Sequence, residues 1–376
     1  MSGLGLDVWV QQQGPMRLNA RFRCKEGELM ALVGPSGSGK TSILRAIAGL
    51  LTPRLGRITS NGEIWFDRRG GVSLPLHDRR VGMVFQSYAL FPHLTALENV
   101  VAAMDHIAVK ERRPRAAALL ERLHLTGMEE RRPASLSGGQ QQRVAVARAL
   151  ARDPSVLLLD EPFSAVDRST REKLYRELAQ IRRQLAMPIV LVTHDLEEAA
   201  MLADCMTILS RGTTLQSGAP SEVMRRPISP LVGRLVGLKN IFEGEIAGHE
   251  NGSTLLRWGG NLLRLPHHPE RSAGERIQWA IPATGIILHR RDHPSRGDQE
   301  NPISGLVRDM LPLGEHASIV MTVPGVRERT LFFSLPLHVA QRHGVDVGEP
   351  LSVTLLASEI HLMPRERRPG LPGIPC

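Results

Sequence analysis

The sequence feature that most constrains the fold is a glycine-rich segment, GPSGSGKT, at residues 34–41. It follows the apolar run 29–33 and leads into an apolar helical pattern, which is the strand, loop and helix order of a phosphate-binding loop. In such a loop the backbone N–H groups and the positive end of the helix surround phosphate oxygens. Lys40 then reaches the β and γ phosphates, and the Thr41 hydroxyl ligates Mg²⁺. The segment predicts a nucleoside triphosphate site formed by Gly34, Pro35, Ser36, Gly37, Ser38, Gly39, Lys40, Thr41 and Ser42.

The length and the charge of the chain limit the number of domains and the kinds of partner that we expect. A chain of 376 residues is long enough for two domains. No apolar run approaches the roughly 18 residues that span a bilayer, and the chain does not open on a signal peptide, so we expect a protein that neither crosses a membrane nor is exported by itself. The net charge is +9, but the basic residues form short clusters without interleaved aromatic residues. We therefore expect a solvated or membrane-facing surface and no nucleic-acid partner.

Hydrophobic periodicity predicts an α/β domain, of the class that carries a phosphate-binding loop, followed by an all-β domain. The continuous apolar runs 155–160 and 189–194 are typical of buried parallel strands. Between 88 and 153 the period is helical, which indicates a helical insert, and beyond 225–230 short strands alternate with turn residues. We place the nucleotide-binding domain at 1–235, a linker and first β segment at 236–298, a second β module at 299–364 and a tail at 365–376.

A phosphate-binding loop alone does not separate kinases, GTPases and ATPases, so the polar residues at other strand ends become informative. Asp160 ends the buried run 155–160 and can hold Mg²⁺ through water. Glu161, beside it, can orient or deprotonate an attacking water. Each carboxylate could instead be a helix cap or a surface acid, but their position after an apolar strand favours chemistry. Gln86 likewise follows an apolar strand, at 80–85.

The segment LSGGQ, at 136–140, predicts a second anion-binding helix start. One triphosphate does not need two such sites in one chain, so we expect a second subunit to complete the site. With Gln86, Asp160 and Glu161, and with the segments 164–167 and 192–195, this set resembles the ATP-binding subunits of ABC transporters. The resemblance covers residues 4 to about 235, with every motif in order.

The resemblance implies an ATPase that uses ATP and Mg²⁺, and it assigns roles to single residues. Glu161 would be the catalytic base, His194 would contact the γ-phosphate, and Gln86 would sense magnesium and the attacking water. Trp9 is the nearest candidate for an aromatic ring stacked on adenine. The implied magnesium ligands are Thr41, Gln86 and Asp160, and the implied contacts with the nucleotide of a partner protomer are Ser137, Gly138, Gly139 and Gln140, with Asp167 in the loop between the two sites.

The same resemblance implies an assembly at a membrane. Two copies of the chain would enclose two ATP molecules, each between the phosphate-binding loop of one copy and LSGGQ of the other. A pair of transmembrane permease subunits would dock near 86–92, and an external binding protein would deliver the solute. The chain would then be a peripheral protein on the cytoplasmic face of the inner membrane.

Two segments point to a particular solute. Residues 56–86 resemble importer subunits for molybdate, and residues 299–364 resemble a molybdate-binding β-barrel module. The resemblance implies an OB-like barrel fold for the second domain and molybdate or tungstate as cargo. The acidic stretch 298–300 disfavours an oxyanion, so regulatory oxyanion binding and a structural or dimerising barrel both stay open. Importers of sulfate or thiosulfate, ferric iron, polyamine or sugar are alternatives. A soluble ABC ATPase outside transport would carry a coiled-coil insert or two phosphate-binding loops, and this chain has neither.

Overall fold

The structure is a computed structural model that describes residues 5–14, 16–164, 166, 168–289, 300–326 and 330–364, with only the backbone of 168–170. Contacts between Cα atoms divide the chain into two compact units, and the division falls between Val223 and Met224. The predicted end of the nucleotide-binding domain, 235, falls after this division and stays a prediction. The predicted boundary at 298 and the tail at 365–376 involve residues outside the described ranges.

The first unit is built on one eleven-stranded sheet. Its strands are β1 (Gly5–Gln12), β2 (Leu18–Lys25), β3 (Leu29–Val33), β4 (Leu55–Ser60), β5 (Glu63–Asp67), β6 (Val72–Ser73), β7 (Val81–Val84), β8 (Val156–Asp160), β9 (Ile189–Thr193), β10 (Cys205–Ser210) and β11 (Thr213–Gly218). They lie in the order β6-β5-β4-β1-β2-β11-β10-β3-β9-β8-β7. Strands β10, β3, β9, β8 and β7 run parallel to their neighbours in that series, and β3, β8 and β9 are buried along their whole length. Burial on both faces explains why these strands are continuous apolar runs in the sequence.

The helices of the first unit pack around this sheet. They are α1 (Lys40–Ala48), α2 (Ala96–Val101), α3 (Val109–Arg122), α4 (Gly138–Leu150), α5 (Arg168–Arg182) and α6 (Leu196–Leu202), and α7 (Pro220–Arg225) spans the division between the units. Helices α2, α3 and α4 occupy the region predicted to be helical. On α3 the side chains of Ala116 and Leu120 are buried in an apolar cluster that also takes in Leu97 of α2 and Val144 of α4. A second apolar cluster packs α1 against β1–β3.

The second unit is rich in β-structure, as predicted. After the short helix α8 (Pro230–Leu235) come β12 (Ile241–Glu250), β13 (Ser253–Trp258), β14 (Asn261–Pro266), β15 (Arg276–Ala280), β16 (Ile286–Leu288), β17 (Glu300–Leu313), β18 (His316–Thr322), β19 (Thr330–Pro336), α9 (Leu337–Arg342), β20 (Pro350–Leu356) and β21 (His361–Leu362). Strands β12 to β21 form two five-stranded antiparallel sheets, β14-β13-β12-β15-β21 and β16-β20-β17-β18-β19. The OB-like topology stays a prediction.

The two sheets of the second unit share one core. Trp258 and Trp279 pack edge to face with ring centroids 5.3 Å apart, and Phe242 lies 4.8–4.9 Å from both. Strand β16 belongs to the same sheet as β17–β20, and β21 returns to pair with β15 of the other sheet. The sheet of β17–β20 therefore includes β16, which precedes the predicted boundary at 298. The sheet of β12–β15 includes β21, which follows that boundary.

Candidate functional site

The predicted site residues gather where parallel strands of the first unit end. Val33 of β3 is in register with Thr193 of β9, and Asp160 of β8 is in register with Val192. The chain therefore leaves β3, β8 and β9 at the same edge of the sheet. In open α/β sheets, ligands bind in the crevice outside the carboxyl ends of the strands.

The phosphate-binding loop connects β3 directly to α1, and its backbone depends on glycine. Gly37 and Gly39 have φ angles of +76° and +101°, a region that L-residues with side chains rarely adopt. A Cβ atom on Gly34 would lie 2.1 Å from the carbonyl oxygen of Leu209. Ser38 is buried within the loop, and Pro35, Ser36 and Gly37 form its exposed part.

Lys40 lies inside the loop. Its side chain is 4% exposed, and Nζ donates to the carbonyl oxygens of Gly34 at 2.8 Å and Pro35 at 3.1 Å. Burial lowers the pKa of Lys40, whereas the nearby carboxylates of Glu161 and Asp160 act in the opposite direction. The ammonium group is therefore positioned among backbone oxygens at the point where a phosphate-binding loop receives its anion.

Two oxygen ligands suited to Mg²⁺ meet beside the loop. Thr41 Oγ1 donates to Asp160 Oδ1 at 3.1 Å, and burial of Asp160 is the main cause that raises its pKa. In the described part of the chain, no cluster of three or more His, Cys, Asp or Glu residues could hold a metal by itself. Nucleotide-bound Mg²⁺ does not need such a cluster, since one or two protein ligands and the phosphates suffice. Gln86, the third predicted ligand, is exposed two residues after β7.

Glu161 and His194 form a pair at the adjacent strand ends. His194 Nδ1 lies 3.2 Å from Glu161 Oε2. Glu161 has a φ angle of +45°, and its backbone is held by a bond from its N–H to Val192 O and by the Ser164 hydroxyl, which donates to Glu161 O. Non-glycine residues in this conformation persist where the surrounding structure fixes them, often at functional sites.

The LSGGQ segment forms the first turn of α4. Ser137 Oγ accepts from the Gln140 N–H at 3.3 Å, and Gln140 Oε1 accepts from the Ser137 N–H at 2.9 Å, so the two residues form a capping box. Gln140 also contacts the sulfur of Met128. None of these hydrogen bonds reaches the phosphate-binding loop. Ser137 and Gly138 are exposed, and Asp167 lies outside the described residues.

Sequence reasoning missed a polar group behind Glu161 and His194. The Thr193 hydroxyl donates to Glu198 and accepts from the N–H of Asp195, and Arg171 of α5 donates to the Asp195 carboxylate. Asp195 is the N-cap of α6, where its Oδ1 accepts from the N–H groups of Glu197 and Glu198. An N-cap of this kind could have been predicted from the acidic residue before a helical pattern, but the contact with Arg171 is not visible in the sequence.

Comparison with known proteins identifies the family. A family model described as ABC transporter matches residues 18–164, which include the phosphate-binding loop, Gln86, LSGGQ and the Asp160–Glu161 pair. The protein named Fe(3+) ions import ATP-binding protein FbpC from Brucella abortus (strain 2308) is 42% identical over 300 residues, covering 79% of this chain and 81% of that protein. The chain belongs to the import ATP-binding proteins of the ABC transporter family. This membership confirms the family that the motifs predicted.

The names of other relatives refer to other solutes. The sulfate/thiosulfate import ATP-binding protein CysA from Ralstonia nicotianae is 38% identical over 341 residues, covering 88% of this chain and 87% of that protein. Among solved structures, cbiO1 from Clostridium perfringens, described as part of the ABC transporter complex cbiONQ, matches with a TM-score of 0.52 at 26% identity. The match covers 59% of this chain and 91% of that chain, and it supports the ATPase fold of the first unit. In the parts of this importer subunit that the structure describes, no helix is both long and apolar enough to cross a membrane.

Proposed function

We propose that this chain hydrolyses ATP to drive solute uptake through a membrane permease. One observation carries the proposal: the ends of β3, β8 and β9 bring Lys40, the Thr41–Asp160 pair and the Glu161–His194 pair to one edge of the sheet. Family membership supports ATP over other triphosphates as the substrate. The names of the relatives support import as the direction.

The loop offers groups that match a triphosphate with its magnesium ion. The buried Ser38 Oγ has no hydrogen-bond partner among the residues that the structure describes, so a phosphate oxygen would satisfy it. Lys40 would exchange its bonds to the Gly34 and Pro35 carbonyls for bonds to the β and γ phosphates. Mg²⁺, when bound, would neutralise charge on those phosphates. Thr41, Asp160 and Gln86 would hold it.

The Glu161–His194 pair would carry the hydrolytic step. The Glu161 carboxylate accepts a proton from the attacking water, because it is placed beside the phosphate loop by a fixed backbone. His194 holds the carboxylate through Nδ1, which leaves its other ring nitrogen for the γ-phosphate. Gln86 orients the water from the end of β7.

A second copy of the chain would complete each site. Ser137, Gly138, Gly139 and Gln140 would face the γ-phosphate held by the partner, and Asp167 would lie in the loop between the two sites. The exposure of Ser137 and Gly138 at the start of α4 supports this arrangement.

The permease would dock on the segment 86–92 on the cytoplasmic side of the membrane. Phe91 is 45% exposed there, and the Arg148 guanidinium lies 5.6 Å from the centre of its ring. Arg148 also donates to the carbonyl oxygens of Tyr88 and Ala89, which both have positive φ angles. This support keeps an apolar side chain at the surface, where a permease helix can cover it.

Ferric iron and sulfate or thiosulfate are the first solutes to test, because relatives that cover most of this chain carry those names. Molybdate and tungstate follow from the likeness of 56–86 and 299–364 to molybdate importers. The Asn301 side chain in that second segment is bonded to backbone groups of Arg264 and Leu355, so it is engaged by the protein itself. We therefore assign the second unit a structural role ahead of oxyanion binding.

The experiment is ATP hydrolysis by the chain reconstituted in vesicles with the permease and binding protein encoded beside it. Ferric iron, sulfate, thiosulfate, molybdate and tungstate are added one at a time. We expect one class of solute to stimulate turnover and to accumulate in the vesicles. A rate of ATP hydrolysis that stays the same with or without each solute and the permease would instead favour a soluble ABC ATPase outside transport.

A further inference from the structure

A small cavity lies directly behind the Glu161–His194 pair. Its volume is about 50 Å³, enough for a water molecule or a modest side-chain movement. In the described part of the chain, two buried polar atoms of its walls, Glu198 Oε1 and Arg171 Nε, have no hydrogen-bond partner. The cavity is lined by Glu161, Ser164, Arg171, His194, Asp195 and Glu198, among others.

Glu198 is the most deeply buried acid in this group. It lies on α6 with 4% of its surface exposed. Thr193 Oγ1 donates to Glu198 Oε2 at 2.5 Å, and the same hydroxyl accepts from the N–H of Asp195 at 2.9 Å. One chain of hydrogen bonds that begins at Glu198 thus fixes the two residues on either side of His194.

Asp195 is held from its other side as well. Its Oδ2 pairs with Arg171 Nη1 at 3.3 Å, and Arg171 Nη2 donates to the carbonyl oxygen of Val166 at 3.0 Å. The segment before α5 and the turn that carries His194 are therefore linked through one guanidinium group. Thr193 and Asp195 leave His194 as the exposed residue between two fixed neighbours.

Burial also keeps Glu198 from disturbing the pair. It raises the pKa of Glu198 to about 8, so the carboxyl group is largely protonated at pH 7. A neutral group there adds no negative charge beside Glu161 and Asp195, and it still accepts the Thr193 hydrogen bond. A leucine would fill the same space but could not hold Thr193.

We propose that Glu198 is a positioning residue for ATP hydrolysis, which through Thr193 holds the turn that places His194 against Glu161. The inference rests on the proposed roles of Glu161 and His194. A displacement of about 1 Å in a reacting group can lower a rate by about two orders of magnitude. Loss of the Glu198 contact therefore affects turnover, while the phosphate-binding loop, which binds ATP, is left intact.

The test compares steady-state ATP hydrolysis of the full chain with that of Glu198→Ala and Glu198→Gln. We expect kcat to fall about tenfold or more in the alanine variant, with KM for ATP changed less than about twofold. Glutamine retains an oxygen for Thr193 and carries no charge, so it recovers most of the lost kcat. Glu197→Ala, an exposed neighbour on α6, is the matched control and keeps wild-type kinetics.

Three results would overturn the inference: wild-type kcat in Glu198→Ala, a raised KM with normal kcat, or a glutamine variant as slow as the alanine variant. If Glu198→Ala does not fold, Thr193→Val removes the same hydroxyl at constant shape and must show the same loss of kcat. Wild-type protein without ATPase activity would refute the proposed function itself. Active wild type, an inactive Glu161→Gln and an unaffected Thr193→Val would refute only the role of Glu198.

Discussion

At the scale of single residues, burial shifts the pKa values of Lys40 and Glu198 in opposite directions. It lowers the pKa of Lys40, but the carboxylates of Glu161 and Asp160 favour the charged ammonium. It raises the pKa of Glu198, and Asp195 and Glu161 act in the same direction because they are acids themselves. Lys40 is thus adapted to receive an anion, and Glu198 is adapted to stay neutral beside two carboxylates.

The raised pKa of Glu198 predicts a dependence of stability on pH. The ordinary value of the group is 4.5 and its value in the folded chain is about 8, so the folded state binds the extra proton. The free energy of unfolding then falls as the pH rises between those two values, by up to about 1.4 kcal/mol per pH unit, and levels off above them. Glu198→Gln lacks this slope, so its stability relative to wild type increases from pH 5 to pH 8. Urea unfolding of both proteins across this range measures the difference.

Parallel pH profiles for wild type and Glu198→Gln would contradict a protonated Glu198. The comparison isolates this group because both proteins keep every other ionisable group around the cavity. Those that face Glu198 are Glu161, Arg171, Tyr175, His194 and Asp195.

At the scale of elements, the start of α4 depends on a close contact with α5. A Cβ atom on Gly139 would lie 2.4 Å from Leu174 Cδ2, whereas one on Gly138 would meet nothing nearer than Val166 Cγ2 at 4.0 Å. Gly139→Ala therefore forces the buried Leu174 side chain to move, at a cost of about 1–3 kcal/mol. Thermal unfolding of Gly139→Ala and Gly138→Ala measures the effect, and only the first is expected to lower Tm. Equal Tm values would mean that α4 and α5 are not packed as described.

Much of the first unit could be predicted from the sequence, because local patterns specify it. The runs at 29–33, 155–160 and 189–194 are apolar throughout, and such runs favour strands buried on both faces of a parallel sheet. The phosphate-binding loop is equally local, since its glycines are needed by backbone angles within the loop itself. These features do not depend on which strands become neighbours.

The contacts between strand ends could not be predicted in the same way. The 3.2 Å approach of His194 to Glu161 depends on the pairing of β8 with β9, and the bond from Thr193 to Glu198 depends on the angle at which α6 leaves that strand. The sheets to which β16 and β21 belong could not be predicted from local patterns either, because strand order is a long-range property. Arg171 was missed for the same reason.

At the scale of the whole molecule, the second unit depends on one amide that joins its two sheets. Asn301 of β17 is 4% exposed; its Oδ1 accepts from Arg264 N at 2.6 Å, and its Nδ2 donates to Arg264 O and Leu355 O. Asn301→Ala leaves these backbone groups without partners, and a buried unpaired group costs about 1–3 kcal/mol. We expect a lower unfolding temperature for the second unit, measured by calorimetry, with ATP hydrolysis at wild-type levels.

The control for this variant is Gln341→Ala, an exposed position on α9 of the same unit. It is expected to leave Tm unchanged. If Asn301→Ala unfolds at the wild-type temperature, the amide does not hold the sheets together. Its role would then have to be sought in a ligand.

Glu161→Gln is the variant that tests whether this chain hydrolyses ATP with Glu161 as the base. The substitution keeps the shape of the side chain and removes its ability to take a proton from water. Turnover and ATP affinity are measured on the same preparations of wild type and variant. The structure predicts wild-type affinity with a loss of kcat of two orders of magnitude or more, on the scale of about 10²–10⁴ typical for a general base. Equal turnover in the two proteins would contradict the claim.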